Sequence, residues 1–227
     1  LDMQTGVVLR TFTVETAKGT AKVRVERFVS LAQKELLAVA YEVTPGYDAR
    51  VTVCPYLDAR VTNLDSNYQE TFWEMLEEEE TEDALGLLTK TKENPFGTPR
   101  FAVAAAMACW ADGLEPGAKL RKEGYVEAAY AGKVKAGQTA RVEKFALCFT
   151  SRDHAENLLT TMALQAASRA RDVGYEALRR DHIAAWTARW AACDVRIDGD
   201  DRAQQGIRFN LFQLLSTYSG EDARLNI

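Results

Sequence analysis

Side chains that could do chemistry occur along the chain, but their spacing matches no familiar catalytic motif. The two histidines are His154 and His182, and the sequence has neither an HExxH pair nor a GxSxG nucleophile motif. Glycine-rich phosphate-binding loops are also absent from the sequence. A metal site or a serine-histidine-aspartate triad would therefore have to be built around one of two isolated histidines, and we predict neither.

The four cysteines are far apart in the sequence and form no CxxC pair, so they indicate neither a zinc site nor a redox motif. They are Cys54, Cys109, Cys148 and Cys193. The pattern predicts buried free thiols in a reducing compartment, and we expect a cytoplasmic protein.

An acidic run at residues 77–80 is the densest group of carboxylates in the chain. Glutamate favours helix, but the alternating Leu87, Thr89 and Thr91 that follow are typical of a strand. We predict two strands, at about 70–77 and 85–92, joined by an acidic loop. Calcium requires carboxylates spaced around a glycine-containing loop, so we interpret the run as a solvated turn and predict no metal.

Composition sets broad limits on function. Of 227 residues, 47% are hydrophobic and 27% are charged, which is typical of a globular protein. The net charge of -5, with scattered basic residues, argues against nucleic acid as a partner. No apolar run approaches the roughly 20 residues that span a bilayer, so we expect no membrane partner.

Residues 1–150 read as strands separated by turns. Residues 7–16 and 21–30 flank a short turn that contains Gly19, which predicts a hairpin. In the second of these strands the pattern predicts a buried face with Val23 and a wet face with Glu26. Many strands with short connections indicate antiparallel sheets stacked as a β-sandwich.

After residue 150 the periodicity becomes helical. Ser151 or Asp153 is expected to cap a helix at about 153–172, and a second helix continues to about Cys193. Asp200 or Asp201 is expected to cap a third helix at about 202–217. Ile207 and Leu211, with either Leu214 or Leu215, form an apolar stripe along that third helix.

The order and spacing of several short motifs resemble glycoside hydrolase family 65, which includes maltose, trehalose and kojibiose phosphorylases, some acid trehalases and related glucosidases. The resemblance covers nearly the whole chain. The motifs are Leu1-Asp2-Met3-Gln4-Thr5-Gly6-Val7, Arg27-Phe28, Arg60-Val61-Thr62-Asn63, the Trp186/Trp190 pair, Gly199-Asp200, Arg208-Phe209-Asn210 and Arg224-Leu225-Asn226-Ile227.

The resemblance implies a layout of a mainly β N-terminal part and a helical C-terminal part. Residues 1–150 would be an antiparallel β-sandwich (a supersandwich) that lacks its earliest strands, and residues 151–193 a helical linker. Residues 194–227 would begin an (α/α)6 barrel that is truncated here. Because the sequence begins at Leu1 rather than at a methionine, we expect upstream sequence in the natural protein.

The resemblance also implies an inverting glycoside phosphorylase or hydrolase that acts on α-linked glucosyl disaccharides. It needs no cofactor, and inorganic phosphate is the co-substrate of a phosphorylase. The acid and the phosphate-binding residues of relatives lie downstream of a Trp-Asp-Thr-Glu segment that this chain does not reach. We therefore predict no catalytic, substrate-binding or metal residue in this chain, an inactive fragment, and a homodimer in the full-length protein.

Several residues also have simpler structural interpretations. Trp186 and Trp190 are expected to pack the linker helix against its neighbours rather than to stack on sugars. Arg208 is expected to bind Asp200 or helix-end carbonyls, and His182 to make a structural hydrogen bond. Asn210 could approach the barrel mouth. Tyr218, Arg224 and Asn226 lead toward a loop that could rim the active site.

A second hypothesis is a non-catalytic β-sandwich that binds carbohydrate or another protein. It predicts a groove of exposed aromatic side chains on one sheet face. The tyrosines that could supply it are Tyr41, Tyr47, Tyr56, Tyr68 and Tyr125.

Overall fold

The computed structural model describes residues 1–62 and 71–217. Eleven strands precede three α-helices in this part of the chain. The strands are β1 (Val8–Thr16), β2 (Gly19–Val29), β3 (Leu36–Pro45), β4 (Ala49–Val53), β5 (Tyr56–Asp58), β6 (Trp73–Glu80), β7 (Ala84–Thr91), β8 (Ala102–Asp112), β9 (Glu115–Lys122), β10 (Tyr125–Val134) and β11 (Ala140–Thr150). A short 3-10 helix (Glu156–Leu158) leads into α1 (Leu159–Val173), α2 (Tyr175–Cys193) and α3 (Asp201–Thr217).

Seven strands form one large antiparallel sheet in the order β1-β2-β3-β11-β8-β7-β6. The predicted hairpin is confirmed, because β1 and β2 pair from Val8 opposite Arg27 to Thr16 opposite Gly19. Gly19 has a φ of 138°, which a residue with a Cβ rarely adopts, so this glycine allows the tight turn.

The second sheet is smaller and is centred on β10. Strand β10 pairs with β4 and β5 along one edge and with β9 along the other. Its inner face packs on the large sheet through two clusters of buried side chains. One is built from Leu85, Leu87, Met107, Val126 and Ala128, and the other from Leu114, Val134, Ala140 and Val142.

Helices cover the opposite face of the large sheet. Alanines at 163, 166, 167 and 170 of α1 are buried, and their small side chains allow the helix to lie close to the strands. Gly86 on β7 is part of this fit, since a Cβ there would lie 3.2 Å from Cδ2 of Leu164. The architecture is a helical layer on a two-sheet sandwich, which confirms the predicted sandwich followed by helices. The assignment of α3 to a barrel stays a prediction.

The predicted acidic loop is wrong. Glu77, Glu78, Glu79 and Glu80 lie inside β6, and the turn falls at residues 81–83. Neighbouring strands supply the stabilising contacts: the Glu78 carboxylate accepts a 2.7 Å hydrogen bond from the Gly124 amide, and Lys119 and Arg121 of β9 lie 3.5 and 3.4 Å from the Glu80 carboxylate. These tertiary contacts outweigh the helical preference of glutamate.

Two further expectations are corrected. The first α-helix begins at Leu159 rather than near 153, and no side chain caps it. The Ser151 hydroxyl instead accepts a 2.8 Å hydrogen bond from the Ala102 amide at the start of β8. Glu26, expected on a wet face, is only 6% exposed because α2 covers that face of β2.

Candidate functional site

The polar and aromatic residues of the helical part are concentrated at one junction. There α2 lies on the large sheet and meets α3. Tyr175, Leu178, His182 and Trp186 recur along one face of α2 and are buried. This junction decides how the helical part is held against the sandwich.

His182 is fully buried at the centre of the junction. Its Nδ1 accepts a 3.1 Å hydrogen bond from the Leu31 amide, and its ring stacks on Phe28 with 4.6 Å between centroids. Burial lowers the pKa of His182 below its usual range, and the backbone carbonyls of Thr5 and Gly6 partly oppose that shift. The imidazole is therefore held neutral, which confirms the prediction of a structural hydrogen bond.

Trp186 and Trp190 join three parts of the chain. The Trp186 ring stacks on Phe212 of α3 at a centroid distance of 4.9 Å, and it lies against Gly6, where a Cβ would come within 2.0 Å of its Nε1. Trp190 donates a 2.9 Å hydrogen bond from Nε1 to the Met3 carbonyl. The prediction that these tryptophans pack the linker helix against its neighbours is confirmed. Both rings are occupied by protein contacts rather than presented as a sugar platform.

A network of charged side chains holds α2 on the outer face of the sheet. Glu26 lies 2.6 Å from Arg24 and 2.7 Å from Arg179 of α2, and it accepts a hydrogen bond of 3.3 Å from the Tyr175 hydroxyl. Burial and the Glu26 charge together raise the pKa of Tyr175 far above its usual range, so this hydroxyl stays a donor. Sequence reasoning missed Glu26, because the only local signal was a charge within an alternating strand.

A second part of the network is centred on Arg141 of β11. Arg141 reaches Glu42 of β3 at 2.6 Å, Glu143 at 2.9 Å and the more exposed Glu176 of α2 at 3.3 Å. Its guanidinium also lies 5.3 Å from the centre of the Tyr175 ring. Arg141 thus links two strands of the sheet to the first turn of α2.

The start of α3 is fixed by two aspartates with separate roles. The Asp200 side chain accepts hydrogen bonds of 3.0 and 2.9 Å from the amides of Arg202 and Ala203, so the predicted cap is confirmed as Asp200. Arg208, expected to bind Asp200 or helix-end carbonyls, instead pairs with Asp194 through contacts of 2.9 and 2.6 Å. The Arg208 hydrogen bond keeps the pKa of Asp194 below its usual range.

Other residues of this region were also expected to lie near an active site. Asn210 is exposed on α3. Tyr218, Arg224 and Asn226, which we expected to lead toward an active-site loop, lie outside the described residues.

A groove between the sheets contains three of the tyrosines proposed for a carbohydrate-binding face. Tyr41, Tyr47 and Tyr56 line a space of about 840 Å³ on the side of β3 and β4. Tyr125 stacks on Tyr56 at 5.5 Å between centroids, and Tyr68 lies outside the described residues. Most of the lining is aliphatic, including seven valines of four strands in the large sheet and β4. The groove therefore offers mainly apolar contact, together with the cationic side chains of Arg27, Arg50 and Lys144.

The cysteines are free, but the prediction that they are buried is wrong. Cys54 and Cys148 are exposed, and Cys109 and Cys193 are partly exposed. Desolvation raises the pKa of Cys109 to about 12, so this thiol stays protonated at neutral pH.

Within residues 1–62 and 71–217, no cluster of three or more histidine, cysteine or acidic side chains could hold a metal ion. No helix in the described ranges is long and apolar enough to cross a membrane.

Comparison with known proteins identifies similar sequences along the whole chain. The sequence model described as "Glycosyl hydrolase family 65, N-terminal domain" matches residues 1–189. Maltose phosphorylase of Bacillus subtilis (strain 168) is 46% identical over 231 residues, which cover 100% of this chain and 30% of that protein. Alpha,alpha-trehalose phosphorylase of Thermoanaerobacter brockii is 27% identical, again over 100% of this chain and 30% of the relative.

A solved structure gives the same fold. A human-microbiome protein assigned as a kojibiose phosphorylase superposes with a TM-score of 0.87 at 21% identity, over 98% of this chain and 28% of that one. The chain therefore spans less than a third of the length of the relatives that it matches.

Proposed function

Because the chain belongs to glycosyl hydrolase family 65, we propose that it is the non-catalytic sandwich and linker of a larger enzyme that acts on α-linked glucosyl disaccharides. The observation that carries the proposal is the 46% identity to a maltose phosphorylase along the entire chain. Three of the relatives are named as phosphorylases of maltose, trehalose and nigerose, which favours phosphorolysis over hydrolysis.

The proposed reaction inverts the anomeric carbon and consumes inorganic phosphate as a co-substrate, with no further cofactor. A glutamic acid protonates the glycosidic oxygen while phosphate attacks the anomeric carbon from the opposite face. Phosphate already carries the negative charge that a general base would otherwise have to generate on water, so a phosphorylase needs one carboxyl group where an inverting hydrolase needs two. We place these groups in the part of the enzyme outside these 227 residues.

The role of this chain is to hold the catalytic part in position. We propose that residues 1–150 are the sandwich domain, residues 151–193 the linker and residues 194–227 the start of an (α/α)6 barrel. The buried His182, the Trp186 stack on Phe212 and the Glu26 network support this division, because each joins two of the three parts. A rigid junction would keep the barrel at one angle to the sandwich.

The test is an activity assay on a longer protein that contains this chain. Maltose, trehalose and kojibiose would each be incubated with and without inorganic phosphate, and glucose and glucose 1-phosphate would be quantified. We expect phosphate-dependent release of glucose 1-phosphate from one of them. Glucose release without phosphate would make the enzyme a hydrolase, and no cleavage of any α-glucoside would overturn the proposal.

A homodimer and a cytoplasmic location are parts of the same proposal. Exposed free thiols at Cys54 and Cys148 support a reducing compartment, since such thiols oxidise readily elsewhere. The apolar groove beside Tyr41 supports an association surface. Light scattering of the longer protein would test the dimer, and fractionation of the source cells would test the location.

The second candidate, a sandwich that binds carbohydrate without cleaving it, is favoured by one observation. Tyr41, Tyr47 and Tyr56 line a single groove, as that hypothesis requires. Against it, the Tyr47 hydroxyl is occupied by Thr16 at 2.8 Å and most of the lining is aliphatic. Sugar binding that is lost on Tyr56→Ala would favour this candidate.

A further inference from the structure

A second cavity, of about 360 Å³, lies between the sheets where β7 begins. It is lined by Leu85, Met107 and Ala128 from one buried cluster and by Leu114 from the other. Strand β7 pairs with β8 only as far as Ala108, so the cavity opens beside the part of β8 that extends past the start of β7 and pairs there with β11. Protein interiors of this kind are normally filled by side chains, and the volume falls within the range of roughly 300–1,000 Å³ found for small-molecule sites.

Two aromatic side chains line the cavity. Tyr130 of β10 packs against both buried clusters, and its hydroxyl makes no hydrogen bond with any residue in the described ranges. Desolvation raises the pKa of Tyr130 to about 12, so the hydroxyl is a donor at neutral pH. Trp110 of β8 also lines the cavity and is 46% exposed. The walls thus supply aromatic surface and one unused donor.

Charged side chains of both signs lie at the same cavity. Arg171 of α1 pairs with Asp83 at 2.6 Å, and Lys119 donates to the Thr81 and Glu82 carbonyls at 2.7 and 2.8 Å. Arg171 also contacts the Asp172 carboxylate at 2.9 Å, and Lys119 lies 3.5 Å from the Glu80 carboxylate, so both cations already have carboxylate partners. A charged ligand would gain little net attraction from groups that are already paired. A neutral ligand with many hydroxyl groups could donate to the carboxylates and accept from the cations.

We propose that this cavity binds a neutral saccharide. The aromatic rings of Trp110 and Tyr130 would contact the apolar C–H face of a pyranose ring, and the Tyr130 hydroxyl with the Asp83–Arg171 pair would bond its hydroxyls. This inference goes beyond the proposed function, because it concerns a binding site within the sandwich itself. If the larger enzyme cleaves disaccharides but no saccharide binds in this cavity, this inference is overturned and the proposed function is not.

The test is titration of the 227-residue chain with maltose and with glucose, followed by calorimetry and by NMR shifts of the tryptophan indole groups. We expect saturable binding that perturbs the Trp110 indole. Trp110→Ala should weaken it by about tenfold, and Tyr130→Phe by several-fold through the lost hydrogen bond. The matched control is Tyr56→Phe, in the other groove, which should leave the affinity unchanged.

Thermal unfolding of each variant would show that it is folded, and Asp83→Asn at the rim offers a third variant if Trp110→Ala fails to fold. The proposal is overturned if neither sugar binds, if inorganic phosphate competes for the same site, or if the cavity variants bind as tightly as the parent. Binding that is lost only in Tyr56→Phe would place sugar in the tyrosine groove and would equally overturn it.

Discussion

Replacing Trp186 by alanine should destabilise the folded chain by about 4 kcal/mol, in the range of 3–5 kcal/mol measured for buried tryptophan. The side chain is 4% exposed, and it fills the space between Gly6, Phe212 and the Trp190 ring. The surroundings cannot easily close around the gap, because the large rings of Phe212 and Trp190 sit on separate helices. The cavity left by the missing indole should therefore stay open, and its cost in free energy should add almost fully to that of the lost contacts.

Urea denaturation, monitored by circular dichroism, would measure the decrease in the free energy of unfolding. Trp110→Ala is the matched control: that indole is 46% exposed, and its removal should change the free energy of unfolding by less than about 1 kcal/mol. A double-mutant cycle with Phe212→Ala should show coupling of about 0.5–1.5 kcal/mol, as expected for stacked aromatic rings. A cost for Trp186→Ala below about 1 kcal/mol, or no coupling to Phe212, would refute the view that this stack fixes the junction.

Three further predictions concern the same junction and α3. Glu26→Ala should cost about 2–3 kcal/mol by leaving the partly buried Arg179 uncompensated, whereas Glu176→Ala, at an exposed end of the network, should cost less than about 0.5 kcal/mol in the same urea assay. Because burial holds the pKa of His182 below 6.5, the unfolded chain binds the proton first, and stability should fall as the pH drops below 6.5. His182→Gln should flatten that decline between pH 7 and 5, and an unchanged slope would argue against a buried neutral imidazole. Gly206→Ala should stabilise α3 by about 0.5–1 kcal/mol in thermal unfolding, since a Cβ there would meet open space; destabilisation would show that this helix face is already covered.

Local sequence pattern was sufficient for much of the fold. The β1–β2 hairpin, the cap of α3 at Asp200 and the buried tryptophan face of α2 each depend on residues close together in the chain. Alternation of period two and recurrence at helical spacing identify such elements, because both patterns show which face of a strand or helix is buried. They do so without showing which other segment buries that face.

The failures involve contacts between distant segments. The acidic run lies in β6 because groups some forty residues later contact its carboxylates: Lys119 pairs with Glu80, and the Gly124 amide donates to Glu78. Glu26 is buried because Arg179 of α2 returns to it from 153 residues along the chain. No pattern within a strand shows such a partner, so charge alone suggested a solvated face in both cases.

The same limit applies to the candidate sites. His182 and the tryptophans could be assigned structural roles from helical spacing, but the cavity beside Tyr130 could not be foreseen. Its walls come from β7, β8, β9, β10 and α1, whose mutual placement only the folded sheet order reveals.

The central claim is that these 227 residues support catalysis without performing it. The most direct measurement incubates the purified, folded chain with maltose and inorganic phosphate and quantifies glucose 1-phosphate against a sample without protein. We expect no release of glucose 1-phosphate above that background. Phosphate-dependent release that scales with the concentration of the chain would contradict it.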